Sequence, residues 1–174
     1  MKITASQENL IDQVARSLKI QDPIWLKKLI NFESKNDPNA KNPWSSARGL
    51  IQFIDSTAKG LGYENSLDLV TKHPTFESQL QGPVYRYLKM YMPFLSEHSL
   101  YMSVFYPVYR FQSPDTPFPA HVQKVNPGIT TPADYVNFIN KTVGSPLHNV
   151  PKAAPLLGVG FAALVIWYFI SKQA

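Results

Sequence analysis

Residues 25–53 read WLKKLINFESKNDPNAKNPWSSARGLIQF. The run begins as an apolar helix, with Trp25, Leu26, Leu29, Ile30 and Phe32 on its inner side. Glu33 follows Leu29 by four residues and Ile30 by three, so on a helix it shares their apolar face. A carboxyl pressed against an apolar core loses hydration. That disfavours its ionised form and raises its pKa, as a general acid working near neutral pH requires. Periodicity alone favours an ordinary surface glutamate at a fraying helix end. Asp22-Pro23 opens this helix with a capping acid and a proline at the first helical position. Asn36-Asp37-Pro38-Asn39 is turn chemistry and ends it near Lys35. Asn42–Gly49 reads as loop. Gly49-Leu50-Ile51-Gln52-Phe53 is short, apolar and β-prone, which predicts a small hairpin near Gln52.

Outward from this stretch the chain is helical. Leu10, Ile11, Val14 and Leu18 share a face in a helix over residues 6–18, with Ser6 as its cap. Asp55 or Ser56 caps a helix from Thr57 to Leu61 that closes at Gly62. Phe76, Leu80, Val84, Leu88 and Tyr91 keep helical spacing over 75–91, and Pro83 must kink or split that element. Ser96 or Ser99 begins a helix through Met102 and Phe105. Residues 112–130 are rich in proline and predict a mostly irregular segment. Thr131, Pro132 and Asp134 form the start of a last helix that Gly144 ends, with Tyr135, Phe138, Ile139 and Thr142 inside.

At 174 residues the chain suits one domain with a real core plus an appendage. Apolar content of 44% against 17% charged excludes wholesale disorder. The net charge of +5 favours an anionic partner. The basic residues are scattered without a run of five, so no nucleic acid is expected. Cysteine is absent, and the four histidines stand far apart, so no metal is expected.

Glu33-Ser34, then Pro38 and Ala40, then Ala47-x-Gly49-Leu50-Ile51-Gln52-Phe53 and Thr57-Ala58 resemble the signature of the soluble lytic transglycosylases, which have a goose-type-lysozyme-like fold. The match runs over about thirty residues with its spacing intact. Residues 79–88 (QLQGPVYRYL) are similar to that family's tyrosine-bearing helix. Residues 103–110 (SVFYPVYR) stand where the family has Ala-Tyr-Asn-x-Gly, and here the asparagine and glycine are missing. Together with NPGI and DYVNFIN, this most resembles phage-encoded members. The resemblance implies a mainly α, lysozyme-like fold with a small β-hairpin. It implies cleavage of the β-1,4 bond between N-acetylmuramic acid and N-acetylglucosamine in peptidoglycan, without a cofactor. Glu33 would protonate the leaving oxygen and then, as a carboxylate, deprotonate the muramic C6 hydroxyl, closing a 1,6-anhydro ring. Ser34 would hold the Glu33 carboxyl. Gln52 and Phe53 would line the sugar site, with Gln52 reaching the N-acetyl group. Tyr106 would orient Glu33 or the muramic sugar, and Tyr87 would contact the glycan. Trp44 could stack on a sugar ring.

Ordinary glycosidases need two carboxyls, about 5 Å apart when retaining and about 6.5–9.5 Å when inverting. The nearest acids in sequence are Asp37, Asp55, Glu64 and Asp68; Asp37 reads as a turn residue and Asp55 as a helix cap. The absence of an obvious partner acid favours the transglycosylase over a muramidase.

Beyond the predicted domain at 1–144 lies a linker, 145–155, and then an apolar tail. Residues 153–170 are uncharged, with Lys152 before and Lys172 after. That run spans roughly 27 Å as a helix, close to a bilayer's hydrocarbon thickness. It predicts one C-terminal transmembrane helix at 156–171, with the lysines snorkelling and Trp167-Tyr168 at the interface. No signal peptide is read at the N-terminus. A tail anchor alone would leave the domain away from peptidoglycan. A virion membrane resolves the conflict, with other virion proteins as partners; the host cell envelope is the other location. A membrane-anchored scaffold that binds glycan without turnover is the rival from another class.

Overall fold

The computed structural model describes residues 2–144. The predicted linker and transmembrane helix lie outside the described residues. Among the described residues no helix is long and apolar enough to cross a membrane.

Helix α1 (Ala5–Ser17) is capped by Thr4, two residues before the predicted cap Ser6. Thr4 and Gln7 form a capping box there, each side chain bonding the other's backbone N–H, so two orphan donors are satisfied at once. Helix α2 (Pro23–Ser34) opens as the sequence predicts, with the Asp22 carboxylate accepting from the Ile24 N–H at 2.9 Å. It ends at Lys35, whose φ of 54° is left-handed. Asn36 follows at φ 63°, so the chain reverses directly after Glu33 and Ser34. Helix α3 (Asp55–Gly60) is short, and its cap position is Ile54 rather than Asp55 or Ser56. The Asp55 carboxylate instead accepts from the Ser66 N–H at 2.9 Å and ties α3 to α4 (Ser66–Lys72).

The 75–91 element is split as Pro83 requires. Helix α5 (Phe76–Gln79) widens into a π turn over Leu80–Val84, and α6 (Tyr85–Lys89) continues from it. Proline has no N–H to donate, and the wider turn accommodates its ring. Helix α7 (Glu97–Phe105) begins at Ser96. A 3-10 turn (Pro107–Tyr109) and α8 (Ala120–Val125) follow. Helix α9 (Pro132–Gly144) starts in the predicted capping box: Thr131 Oγ1 accepts from the Asp134 N–H and Asp134 Oδ2 from the Thr131 N–H. Helix α2 is central, packing against α1, α7 and α9. The core around it is closed by Leu26, Leu29 and Ile30 from α2, Ile11 from α1, Phe105 from α7 and Ile139 from α9.

The expected β-hairpin is replaced among the described residues by two isolated antiparallel bridges, Lys41 with Arg48 and Arg48 with Phe53. Arg48 and Phe53 exchange both backbone hydrogen bonds, at 3.0 and 2.8 Å. Gly49 (φ 77°) and Gln52 (φ 55°) are both left-handed, so GLIQ is spent reversing the chain. Leu50 and Ile51 are both buried, which ordinary strand alternation does not allow for neighbours on a one-sided sheet.

Candidate active site

Glu33 sits in the last turn of α2 and is 2% exposed. It is the one charged side chain in the buried set of the described residues. Burial pushes its pKa up to about 8, against a partial opposing pull from Tyr135. The Tyr135 hydroxyl donates to Glu33 Oε1 at 3.1 Å. Tyr135 lies near the start of α9, a hundred residues away in sequence but packed on α2. Its ring is stacked on Phe105 at 4.1 Å and meets the edge of Phe32 at 5.8 Å. These rings fix where the hydroxyl points, so the hydrogen bond is set by the core.

The loop opposite is equally determined. Gln79 is fully buried, and its amide clamps three backbone segments. Oε1 accepts from the Leu50 N–H at 2.9 Å, while Nε2 donates to the carbonyls of Pro38 (2.7 Å) and His73 (3.0 Å). Gly49 presses on this clamp so closely that a Cβ there would lie 2.5 Å from Gln79 Oε1. Gln52 is held within the turn, its Nε2 donating to the Gly49 carbonyl at 2.9 Å. Gln52 Oε1 is buried without a hydrogen-bond partner, an unused acceptor at the predicted sugar site.

Gln52, Phe53 and Tyr87 are brought together along one narrow crevice, with Ile51, Thr57 and Val104. The Phe53 and Tyr87 rings meet edge to face at 5.8 Å. The Tyr87 hydroxyl donates to the Ser103 carbonyl at 2.8 Å. Burial pushes the Tyr87 phenol up, neighbouring Tyr91 adds to the effect, and Glu33 contributes least. Glu33 does not line the crevice, and its charge acts on Tyr87, which does. Ser34 is buried beside Glu33 and donates to the Ile30 carbonyl at 3.0 Å, so its proton goes back to its own helix. Tyr106 is buried after the end of α7, its ring 5.0 Å from Tyr109 and 5.9 Å from Phe118. Phe118 in turn touches Phe105, on which Tyr135 stacks. Trp44 is 79% exposed in the loop between the bridged residues Lys41 and Arg48.

The acids considered as partners are placed elsewhere. Asp37 accepts from the Asn39 N–H in its turn and Asp55 from Ser66. Asp68 pairs with Lys72 at 2.9 Å, and Glu64 is exposed. No carboxylate contributes to the shift at Glu33. Among the described residues no group of three or more metal-ligating side chains could hold an ion.

Sequence reading placed Tyr135 on the inner face of its helix but missed its bond to Glu33. A tyrosine in an apolar stripe carries a hydroxyl that needs a partner, and that was the available signal. Tyr87, Tyr101 and Tyr106 are buried too, so the signal did not choose among them.

Residues 11–83 match the Transglycosylase SLT domain. The match includes Glu33, Ser34, Gln52 and Phe53, and stops before Tyr87, Tyr106 and Tyr135. It supports the soluble lytic transglycosylase and lysozyme-like family, and with it a lytic activity on peptidoglycan. No curated protein and no solved structure matches the chain.

Proposed function

We propose that this protein is a peptidoglycan lytic transglycosylase in which Glu33 serves as both acid and base. The observation that carries the reading is a single buried carboxyl, held protonated to about pH 8, with no second carboxylate acting on it. In the first step Glu33 gives its proton to the glycosidic oxygen between N-acetylmuramic acid and N-acetylglucosamine, and the C1–O bond breaks. The Glu33 carboxylate then takes the proton of the muramic C6 hydroxyl, whose oxygen closes on C1. One carboxyl suffices, and no water is consumed, whereas a two-carboxyl glycosidase would need a second acid at fixed distance. Tyr135 suits this cycle: its hydroxyl donates to Glu33, which favours the carboxylate after the first transfer and offsets part of the cost of burial. The orphan Gln52 acceptor suits an acetamido N–H.

The apolar run at 153–170 and the resemblance to phage-encoded members support a tail-anchored enzyme carried in a virion membrane, cutting the wall during entry. Purified virions that lacked the protein would sink this location and leave the host envelope, with a role in lysis.

The activity is tested by incubating the full chain in detergent with purified peptidoglycan and weighing the products. Anhydro-ended muropeptides are expected. Reducing ends, heavier by one water per cut, would make the enzyme a muramidase. No products, with Glu33→Gln binding glycan as well as the parent chain, would make it a scaffold, the reading that the altered SVFYPVYR stretch favours.

A further inference from the structure

An open groove of about 520 Å³ lies between the start of α7 and residues 110–114, and none of the candidate active-site residues lines it. Its walls are apolar: Leu95 is 64% exposed and Phe111 55%, with Pro114 beside them. Its polar lining has one fixed cation. The Arg110 guanidinium lies over the Phe111 ring at 4.5 Å and faces Tyr91 at 5.6 Å, and Nη1 donates to the Pro107 carbonyl at 3.2 Å. Arg110 has no carboxylate partner among the described residues, and its Nε is buried without a hydrogen-bond acceptor. A positioned, unneutralised guanidinium flanked by apolar walls is a receptor for a carboxylate carried on an aliphatic chain. His98, the other basic group on the groove, bonds the Tyr109 carbonyl at 3.2 Å, and burial pushes its pKa down, so Arg110 supplies the charge. Ser96 and Ser99 spend their hydroxyls on each other's backbone in the α7 cap.

A chain of ring contacts joins the groove to the candidate active site, beginning with Arg110 over Tyr91 at 5.6 Å. Tyr91 lies 5.0 Å from Tyr87, and Tyr87 lines the crevice with Gln52. We infer that this groove takes the acidic stem peptide that hangs from the glycan strand, with Arg110 pairing its carboxylate and Leu95 and Phe111 packing its aliphatic side chains. Gln112 adds an amide to the lining, and the guanidinium between apolar walls favours a carboxylate on an aliphatic chain over a bare, uncharged sugar. The inference rests on the proposed peptidoglycan substrate.

Two measurements on the full chain in detergent test it. The first compares cleavage of intact peptidoglycan with cleavage of strands stripped of peptide by an amidase. Arg110→Gln is expected to lower the ratio of the two rates about tenfold, the loss of one charge-assisted hydrogen bond, and Arg110→Lys to restore part of it. An unchanged ratio would overturn the peptide groove while leaving the enzyme reading intact. The second is calorimetric binding of a free acidic tetrapeptide of the stem type to Glu33→Gln, with and without Arg110→Gln. Binding that needs Arg110 supports the groove even if the parent chain cuts neither substrate, an outcome that would sink the enzyme reading alone. Binding that ignores Arg110, or no binding, overturns the groove.

Discussion

At Glu33 two opposing effects are set by different parts of the chain. Burial favours the proton, and the Tyr135 hydroxyl favours its loss. The pH dependence of stability follows with a definite sign. An unfolded glutamate ionises near 4.5, whereas the folded one keeps its proton to about 8. Between those values the folded state binds more protons, so this group's contribution to stability falls as pH rises and is lowest above pH 8. Glu33→Gln removes that loss. Chemical denaturation should show the variant matching the parent near pH 4 and exceeding it at pH 9 by on the order of 4 kcal/mol. Peptidoglycan cleavage by the variant should be abolished at every pH, and cleavage by the parent chain should decline as pH rises through about 8. Tyr135→Phe deletes the one group that lowers the Glu33 pKa. Its alkaline limb should therefore move upward, with turnover down roughly tenfold from loss of orientation and stability down by about 1 kcal/mol. A tyrosine that merely filled space would cost stability and leave the pH limb where it was.

At the scale of the element, the turn at 49–52 decides whether Gln52 is presented at all. Gly49→Ala places a Cβ at a left-handed residue and 2.5 Å from the Gln79 amide, which cannot move without releasing Leu50, Pro38 or His73. Thermal or urea unfolding should show a loss of about 2–4 kcal/mol, and Gln79→Leu should lose a similar amount by leaving three backbone groups without their partner. The two changes together should cost less than their sum, because both act on the same clamp. This element also marks how far the sequence could be read. Helix α2, its Asp22-Pro23 start and its end at Lys35 were legible because caps and turns are local chemistry. The short apolar run GLIQF looked like a strand because its burial on both sides comes from tertiary packing, which a five-residue window does not contain. Helix α4 has only Leu69 and Ser66 buried and leans on Asp55, and α8 is six residues inside a proline-rich stretch; neither carries enough periodic signal to be expected. Glu33, Gln52 and Phe53 were singled out through the resemblance, and the bond from Tyr135 was not, because its partner lies on another helix.

Across the whole molecule, the candidate site is assembled from parts that the SLT match does not span. That match ends at residue 83, while the hydroxyl on Glu33 comes from α9 and the ring beneath it from α7. What docks these helices on α2 is a polar cluster on the far side of the same contact. Lys28 Nζ donates to Asn140 Oδ1 at 2.7 Å and lies 3.5 Å from Glu97, whose carboxylate also accepts from Asn140 (3.1 Å) and from the Tyr101 hydroxyl (2.8 Å). Glu97 therefore accepts from α7 and α9 and pairs with the Lys28 ammonium of α2, and it is mostly shielded from water. Glu97→Ala leaves the Asn140 amide and the Tyr101 hydroxyl without their acceptor and removes the ion pair of Lys28, and the expected cost is about 2–3 kcal/mol of stability. Because Lys28 precedes Glu33 by five residues and Asn140 follows Tyr135 by five, the loosened contact should also lengthen the Tyr135–Glu33 bond. Below the melting transition, the folded Glu97→Ala variant should then show the alkaline limb of activity shifted upward, in the same direction as Tyr135→Phe. A variant that is less stable but keeps the parent's pH profile would mean that the stacked rings alone hold Tyr135 in place.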